Sequence, residues 1–131
     1  MSWMKSRTFA VLAVCLTTAA LLGGSLGIAV AGTRQSLGVG FNLVGGPLQA
    51  DTPPDQFVAC IPAASWSAIY VWDGSSQSWQ HYFNPTTVPA YVNSSAVGGI
   101  SSIRKFAGVA LLMNQAVATP KLKDSPGESC S

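Results

Sequence analysis

Three of the chain's four tryptophans fall within WSAIYVWDGSSQSWQHYF, Trp66 to Phe83, and no other stretch constrains the fold as tightly. β-Branched and aromatic residues fill both halves: Ile69, Tyr70, Val71 and Trp72 before DGSSQ, then Trp79, Tyr82 and Phe83 after it. Such side chains suit the pleated surface of a sheet, and the turn-rich segment between them predicts a hairpin. With Asp73 opposite Ser78, a four-residue loop closes, Trp72 faces Trp79, Tyr70 faces His81 and Ile69 faces Tyr82. Strand alternation then puts Trp66, Tyr70, Trp72, Trp79, His81 and Phe83 on one face, and Ile69, Val71, Gln80 and Tyr82 on the other.

That aromatic face has two readings. A small β-domain ordinarily buries its aromatics, each of which removes a large apolar area from water. Left exposed, the same residues mark a binding surface: Trp66, Tyr70, Trp72 and Trp79, with His81 beside them, form a stacking platform for sugar rings or a docking patch for a protein. The Ile69 and Val71 face is also apolar enough to be core, so only one of the two faces must be buried.

The N-terminus belongs to targeting rather than to the domain. Lys5 and Arg7 precede an uncharged apolar run from Phe9 to Leu22, and Ala29-Val30-Ala31 supplies the small residues a signal peptidase reads. Residues 1–31 are therefore expected to be a signal helix cleaved after Ala31. The alternative is an uncleaved anchor, because the uncharged span from Thr8 to Thr33 exceeds the about 20 residues needed to cross a bilayer. Thr17, Thr18 and the glycines after Leu22 weaken that alternative, and it is the only route by which the sequence suggests membrane association.

The chain beyond Ala31 amounts to one small domain, near the size at which a covalent staple helps. Its charges balance: Arg34, Arg104, Lys105, Lys121 and Lys123 against Asp51, Asp55, Asp73, Asp124 and Glu128. The formal charge of +2 therefore comes from Lys5 and Arg7, and a neutral surface gives no electrostatic reason to expect nucleic acid as a partner. Cys15 leaves with the signal, so Cys60 and Cys130 remain. In an exported chain such a pair suggests a disulfide. Closing a loop of that length stabilises a fold by roughly 4 kcal/mol in the chain-entropy model. In the alternative, Cys60 is a small buried hydrophobe on a helix and Cys130 is free or pairs between chains.

Residues 32–38 read as a polar lead-in, 39–119 as a β-rich extracellular domain and 120–131 as a polar tail. Gly40-Phe41-Asn42-Leu43-Val44 is a short apolar strand closed by glycines and Pro47. Thr52 as N-cap, Pro53 at the first helical position and Asp55 in the first turn predict a helix of about two turns, with Phe57, Cys60 and Ile61 on its apolar face. Asn84 to Pro89 is too proline-rich for a regular element, Ala90 to Asn93 reads as briefly extended, and Ser94 to Ser102 as loop. Phe106 to Asn114, apolar on both faces, is expected as a central strand or one lying across a closed barrel, and Ala116 to Leu122 as a last edge strand. The class expected is mainly β: a small antiparallel sandwich or barrel-like sheet with one short helix.

Catalytic chemistry finds little support. His81 is the only histidine, so one chain cannot build a site with two histidine ligands, and no metal or cofactor is expected. Capping explains Asp51 and Asp55, and a turn explains Asp73. Gly45-Gly46 and Gly98-Gly99 sit in no phosphate-binding pattern.

The pattern resembles a module of bacterial and archaeal cell-surface proteins. That module opens on a Gly-Trp-Asn-Leu-type strand and runs through a short helix into a Val-Trp-x-Tyr-Asp hairpin. An Asn-Pro-rich turn comes next, and the module closes on Gly-Tyr-Trp-Ile-like residues. Gly40-Phe41-Asn42-Leu43-Val44 is similar to the opening, and Ile69-Tyr70-Val71-Trp72-Asp73 with Trp79 to the hairpin. Pro85, Pro89 and Asn93 resemble the turn, and Gly108-Val109-Ala110-Leu111 the close; together the similarity spans about residues 38 to 118. Phe41 stands where the pattern has tryptophan, and Val109-Ala110 replace its aromatic pair. The resemblance implies an extracellular, non-catalytic module. The expectation is an adhesion-type surface domain that binds a cell-surface protein, with polysaccharide binding through the aromatic hairpin face as the alternative.

Overall fold

The computed structural model describes residues 36–131; the expected signal segment lies outside the described residues. Its regular elements are strands β1 (Gly40–Gly45), β2 (Trp66–Asp73), β3 (Ser78–Phe83) and β4 (Gly108–Met113), and the helix α1 (Pro54–Phe57). Short 3-10 turns cover Ala63–Ser65, Ala90–Asn93 and Ser95–Val97. The fold is mainly β, as its alternating and apolar segments predict. GVALLM, apolar on both faces, lies inside an antiparallel sheet ordered β1-β4-β2-β3. The second layer is not another sheet but α1 and the loops around it.

The hairpin pairs as expected: Asp73 with Ser78, Trp72 with Trp79, Tyr70 with His81 and Ile69 with Tyr82. One expectation for the hairpin fails. Between Trp66 and Ala68 the β2–β4 register slips, so that Trp66 lies opposite Met113 and Ala68 opposite Leu112. A bulge inserts one unpaired residue and reverses the alternation beyond it. Trp66 therefore leaves the aromatic face for the buried one, where its ring stacks on Tyr82 at 6.2 Å and 17°. There it joins a core of Val44, Ile69, Val71, Val109, Leu111 and Met113 from the strands. Leu37, Phe57, Val58, Ile61, Ile100, Ile103 and Leu122 close that core from the other side.

α1 is shorter than expected and starts one residue later. Pro53 is its N-cap, with no side-chain capping bond, and Pro54 opens the helix. The winding continues past Phe57 through looser turn bonds, Ala59 N–H to Gln56 C=O and Ile61 N–H to Val58 C=O, which still deliver Phe57, Val58 and Ile61 to the core. Thr52 is not a cap. It is fully buried and exchanges two backbone hydrogen bonds with Ile103, at 3.0 and 2.8 Å. Asp51 accepts the Lys105 N–H at 2.8 Å instead of capping α1. Ala90–Asn93 winds as a 3-10 turn rather than extending. The expected last strand is reduced to isolated bridge positions, at Val117, which pairs with Leu37, and at Lys121.

The C-terminal stretch packs into the fold. Leu122 is buried, and the Asp124 carbonyl accepts the N–H groups of Gln49 and Ala50 while its side chain accepts that of Leu48. Glu128 bonds Lys121 at 2.7 Å and the Asp124 N–H at 2.6 Å; the Lys121 contact first, then the amide, hold its carboxyl below the usual range. The sulfurs of Cys60 and Cys130 lie at disulfide distance, with Cα atoms 5.4 Å apart, joining the end of the helical segment to the end of the chain.

Candidate functional site: the outer face of the sheet

With the core complete on one side, alternation sends Phe41 and Leu43 of β1, Ala110 and Leu112 of β4, Ala68, Tyr70 and Trp72 of β2, and Trp79, His81 and Phe83 of β3 to the other. The registers order these residues into rows. Phe41, Leu112, Ala68 and Phe83 form one, and Leu43, Ala110, Tyr70 and His81 the next. Trp72 and Trp79 lead a third, which ends at Gly108 and Gly45 on the neighbouring strands. Much of this face is open to water: Leu43 is 82% exposed, Phe41 67%, Trp79 58% and Trp72 47%.

The rings touch one another across the strands. Trp72 and Trp79 meet edge to face at 5.4 Å, Tyr70 meets Phe83 edge to face at 6.3 Å, and Phe41 tilts against Tyr70 at 6.0 Å. These are favoured aromatic geometries, each worth about 0.5–1.5 kcal/mol beyond area burial. Between the tall side chains of β1 and those of the hairpin, Ala110 leaves a trough of 340 Å³ lined by Phe41, Tyr70, Trp79 and Ala110.

Polar residues fix the frame of this face, and of them only His81 lies on it. The Asn93 carboxamide accepts the Phe83 N–H at 2.7 Å and donates to the Phe83 carbonyl at 2.8 Å, acting as one residue of a further strand. His81 donates from Nε2 to the Val92 carbonyl at 2.8 Å, and its main chain bonds Gly98 and Ile100. Gly99 is obligatory in this crossing, since a Cβ there would lie 2.0 Å from the Asn93 carbonyl oxygen. Buried Asn84 donates to the carbonyls of Ala63 and Trp66 and receives Thr86 N–H and O–H, pinning the entry to β2. At the hairpin tip, Asp73 accepts the hydroxyl and the N–H of Ser75 and the hydroxyl of Ser76, which hold its carboxyl down at about 2.

No family model matches this chain, and no curated protein and no solved structure matches it.

Of the five residues expected to bind, Tyr70, Trp72, Trp79 and His81 share the face, and Trp66 does not. The hairpin pattern alone leaves out the contribution of β1. Phe41 and Leu43 alternate with Asn42 and Val44 in GFNLVG, the signal of a two-faced strand, and treating the segment as uniformly apolar hides it. Among the described residues, no group of three or more His, Cys, Asp or Glu is placed to hold a metal ion, and no helix is long and apolar enough to cross a membrane.

Proposed function

We propose that this chain is a non-catalytic module of the cell exterior that binds a protein partner through the outer face of its sheet. The observation that carries the reading is the exposure of Phe41, Leu43, Trp72 and Trp79 above a core already closed on the opposite face. A small domain gains nothing from leaving such rings wet, and contiguous exposed apolar surface of this kind marks interaction sites. The resemblance to a cell-surface module points the same way. A cysteine pair at disulfide distance is compatible with an oxidising, extracytoplasmic setting.

Protein is favoured over polysaccharide by what accompanies the rings. Sugar sites combine stacking surfaces with side chains that fix hydroxyl groups. Here the outward positions of β1 to β4 carry no charged residue and no carboxamide, and His81 is committed to Val92. The Trp72–Trp79 pair, inclined at 69°, also presents an edge where sugar stacking needs an open, flat ring. An apolar patch on a partner protein matches this chemistry better.

Binding of the labelled exported protein to the surface of its own host tests the proposal. Trp79→Ala and Phe41→Ala should each abolish retention with little change in thermal stability, and protease treatment of the cells should remove the receptor. Retention that survives protease but is competed by soluble cell-wall polysaccharide would transfer the site to the carbohydrate reading. Retention unaffected by either substitution would remove the outer face from the function.

A further inference from the structure

The two edges of the sheet are treated differently. The bond from the Gly46 N–H to the Ala107 carbonyl, at 2.6 Å, sets the phase of the β1–β4 ladder: Gly40, Asn42 and Val44 bond β4, and Phe41, Leu43 and Gly45 turn their N–H and C=O groups away from the sheet. The same phase carried across β2 turns Trp79, His81 and Phe83 outward on β3. There the edge is covered at two of the three positions, because Asn93 takes both main-chain groups of Phe83 while Gly98 and Ile100 take those of His81, leaving only Trp79 beside the turn. On β1, among the described residues, nothing takes the outward groups of Phe41, Leu43 and Gly45. Proteins usually blunt a free edge with a charge, a proline or a bulge, and GFNLVG contains no charge and no proline. Asn42, its one polar side chain, is spent on Gly38 and Gly40, holding the bend that leads into the strand.

We propose that β1 pairs antiparallel with β1 of a second copy of this chain, about a two-fold axis at Leu43. In that register Leu43 lies opposite its own counterpart, and Phe41 lies opposite the partner's glycine equivalent to Gly45. Every outward group is used, giving about six main-chain hydrogen bonds between the copies. Each Phe41 ring covers the bare backbone of a glycine, a pairing that stabilises edge glycines. A second copy is favoured over a foreign peptide because the strand is complementary to itself: uncharged, with its bulky and bare positions symmetric about Leu43. The largely covered β3 edge sets the symmetry. A β1-to-β3 contact would propagate into filaments, whereas a β1-to-β1 contact closes on itself as a dimer. Dimerisation would also join the two outer faces into one continuous aromatic surface, but the edge contact does not depend on what that surface binds.

Sedimentation across a concentration series of the exported protein, with amide exchange followed by NMR, tests the inference. The expected result is a reversible dimer in which the Phe41, Leu43 and Gly45 amides gain protection with concentration, while those of Asn42 and Val44 are protected throughout. Leu43→Lys, at a position exposed enough not to disturb folding, sets two ammonium groups across the axis and should weaken the dimer by about tenfold or more. Trp79→Ala, on the outer face but far from this edge, should leave it unchanged. A protein that remains monomeric to about 1 mM overturns the proposal. So does a dimer whose edge amides stay unprotected, or one that Leu43→Lys does not weaken. Protection of those amides only on adding a foreign extended peptide would reassign the edge to another partner.

Discussion

Trp66 and Trp72 stand on the same strand, at positions that simple alternation assigns to one face, yet their indoles have opposite fates. Trp66 is 5% exposed and stacked on Tyr82 in the core, whereas Trp72 is 47% exposed and meets Trp79 at the surface. The composition of the two faces cannot explain this, since both are apolar. One bulge between Trp66 and Ala68 decides it, supported by buried Asn84, which bonds the Trp66 carbonyl and draws its own N–H to Ser67. The sheet thus commits one tryptophan to the core and leaves two exposed on its outer face.

Substitution at Trp66 should therefore show the largest effect. Removing a buried indole leaves a cavity and costs about 3–5 kcal/mol, a large share of the about 5–15 kcal/mol that holds a domain together. Trp66→Ala should unfold at far lower denaturant concentration than the parent. A loss below about 1 kcal/mol would show the core to be closed without it.

The cysteine pair comes next. Cys60→Ser, compared with the parent under non-reducing conditions, should cost about 2–4 kcal/mol by releasing the loop of intervening residues in the unfolded chain. The loss should be felt first in the C-terminal stretch, where Lys123 bonds the Phe57 carbonyl and Gly127 bonds Gln56. Two alkylatable thiols in freshly purified parent protein would show that the bond does not form.

Much of this arrangement is legible in the residues. The four-residue loop from Gly74 to Gln77 sets the hairpin register, and the doubly apolar run at Gly108–Met113 sets the interior strand. The bulge is not legible, because Ser67 looks like any solvent-facing strand residue, and the bonds that surround it, Asn84 N–H to the Ser67 carbonyl and Asn114 N–H to the Ser65 carbonyl, are made only through folding. The end of the chain is equally opaque. KLKDSPGESCS is polar along its length, yet Leu122 and Asp124 are buried, and the main chain from Leu48 to Ala50 supplies the hydrogen-bond donors that Asp124 needs there. Local pattern records what a segment prefers, and neither of these contacts is local.

On the outer face the expected effects on stability shrink. Trp79→Ala should cost less than about 1.5 kcal/mol, the edge-to-face contact with Trp72 being the main loss for a ring already 58% exposed. Acrylamide quenching sharpens the contrast. The fluorescence removed by Trp79→Ala should be open to the quencher, as should that of Trp72, and that remaining from Trp66 should be protected. If Trp79→Ala destabilises as much as Trp66→Ala, the two faces do not differ in kind.

The smallest effect expected is at the hairpin tip, and it asks whether the turn or the ladder holds Trp72 against Trp79. Asp73 is held at about 2 by the hydroxyl and N–H of Ser75 and by Ser76, below its ordinary value of 3.8. For a carboxyl depressed on folding, the stabilisation is complete above the ordinary value and disappears as pH falls through the depressed one. The Ser75 amide resonance should accordingly stay still from neutral pH down to about 4 and move with a midpoint near 2. Over that window the Trp72–Trp79 contact should persist, because Val71 with Gln80 and Ile69 with Tyr82 continue the pairing behind the turn. A Ser75 amide that titrates near the ordinary carboxylate value would show that the serines do not hold Asp73. If the two indoles separate as the turn opens, the tip, and not the ladder, is what holds Trp72 against Trp79.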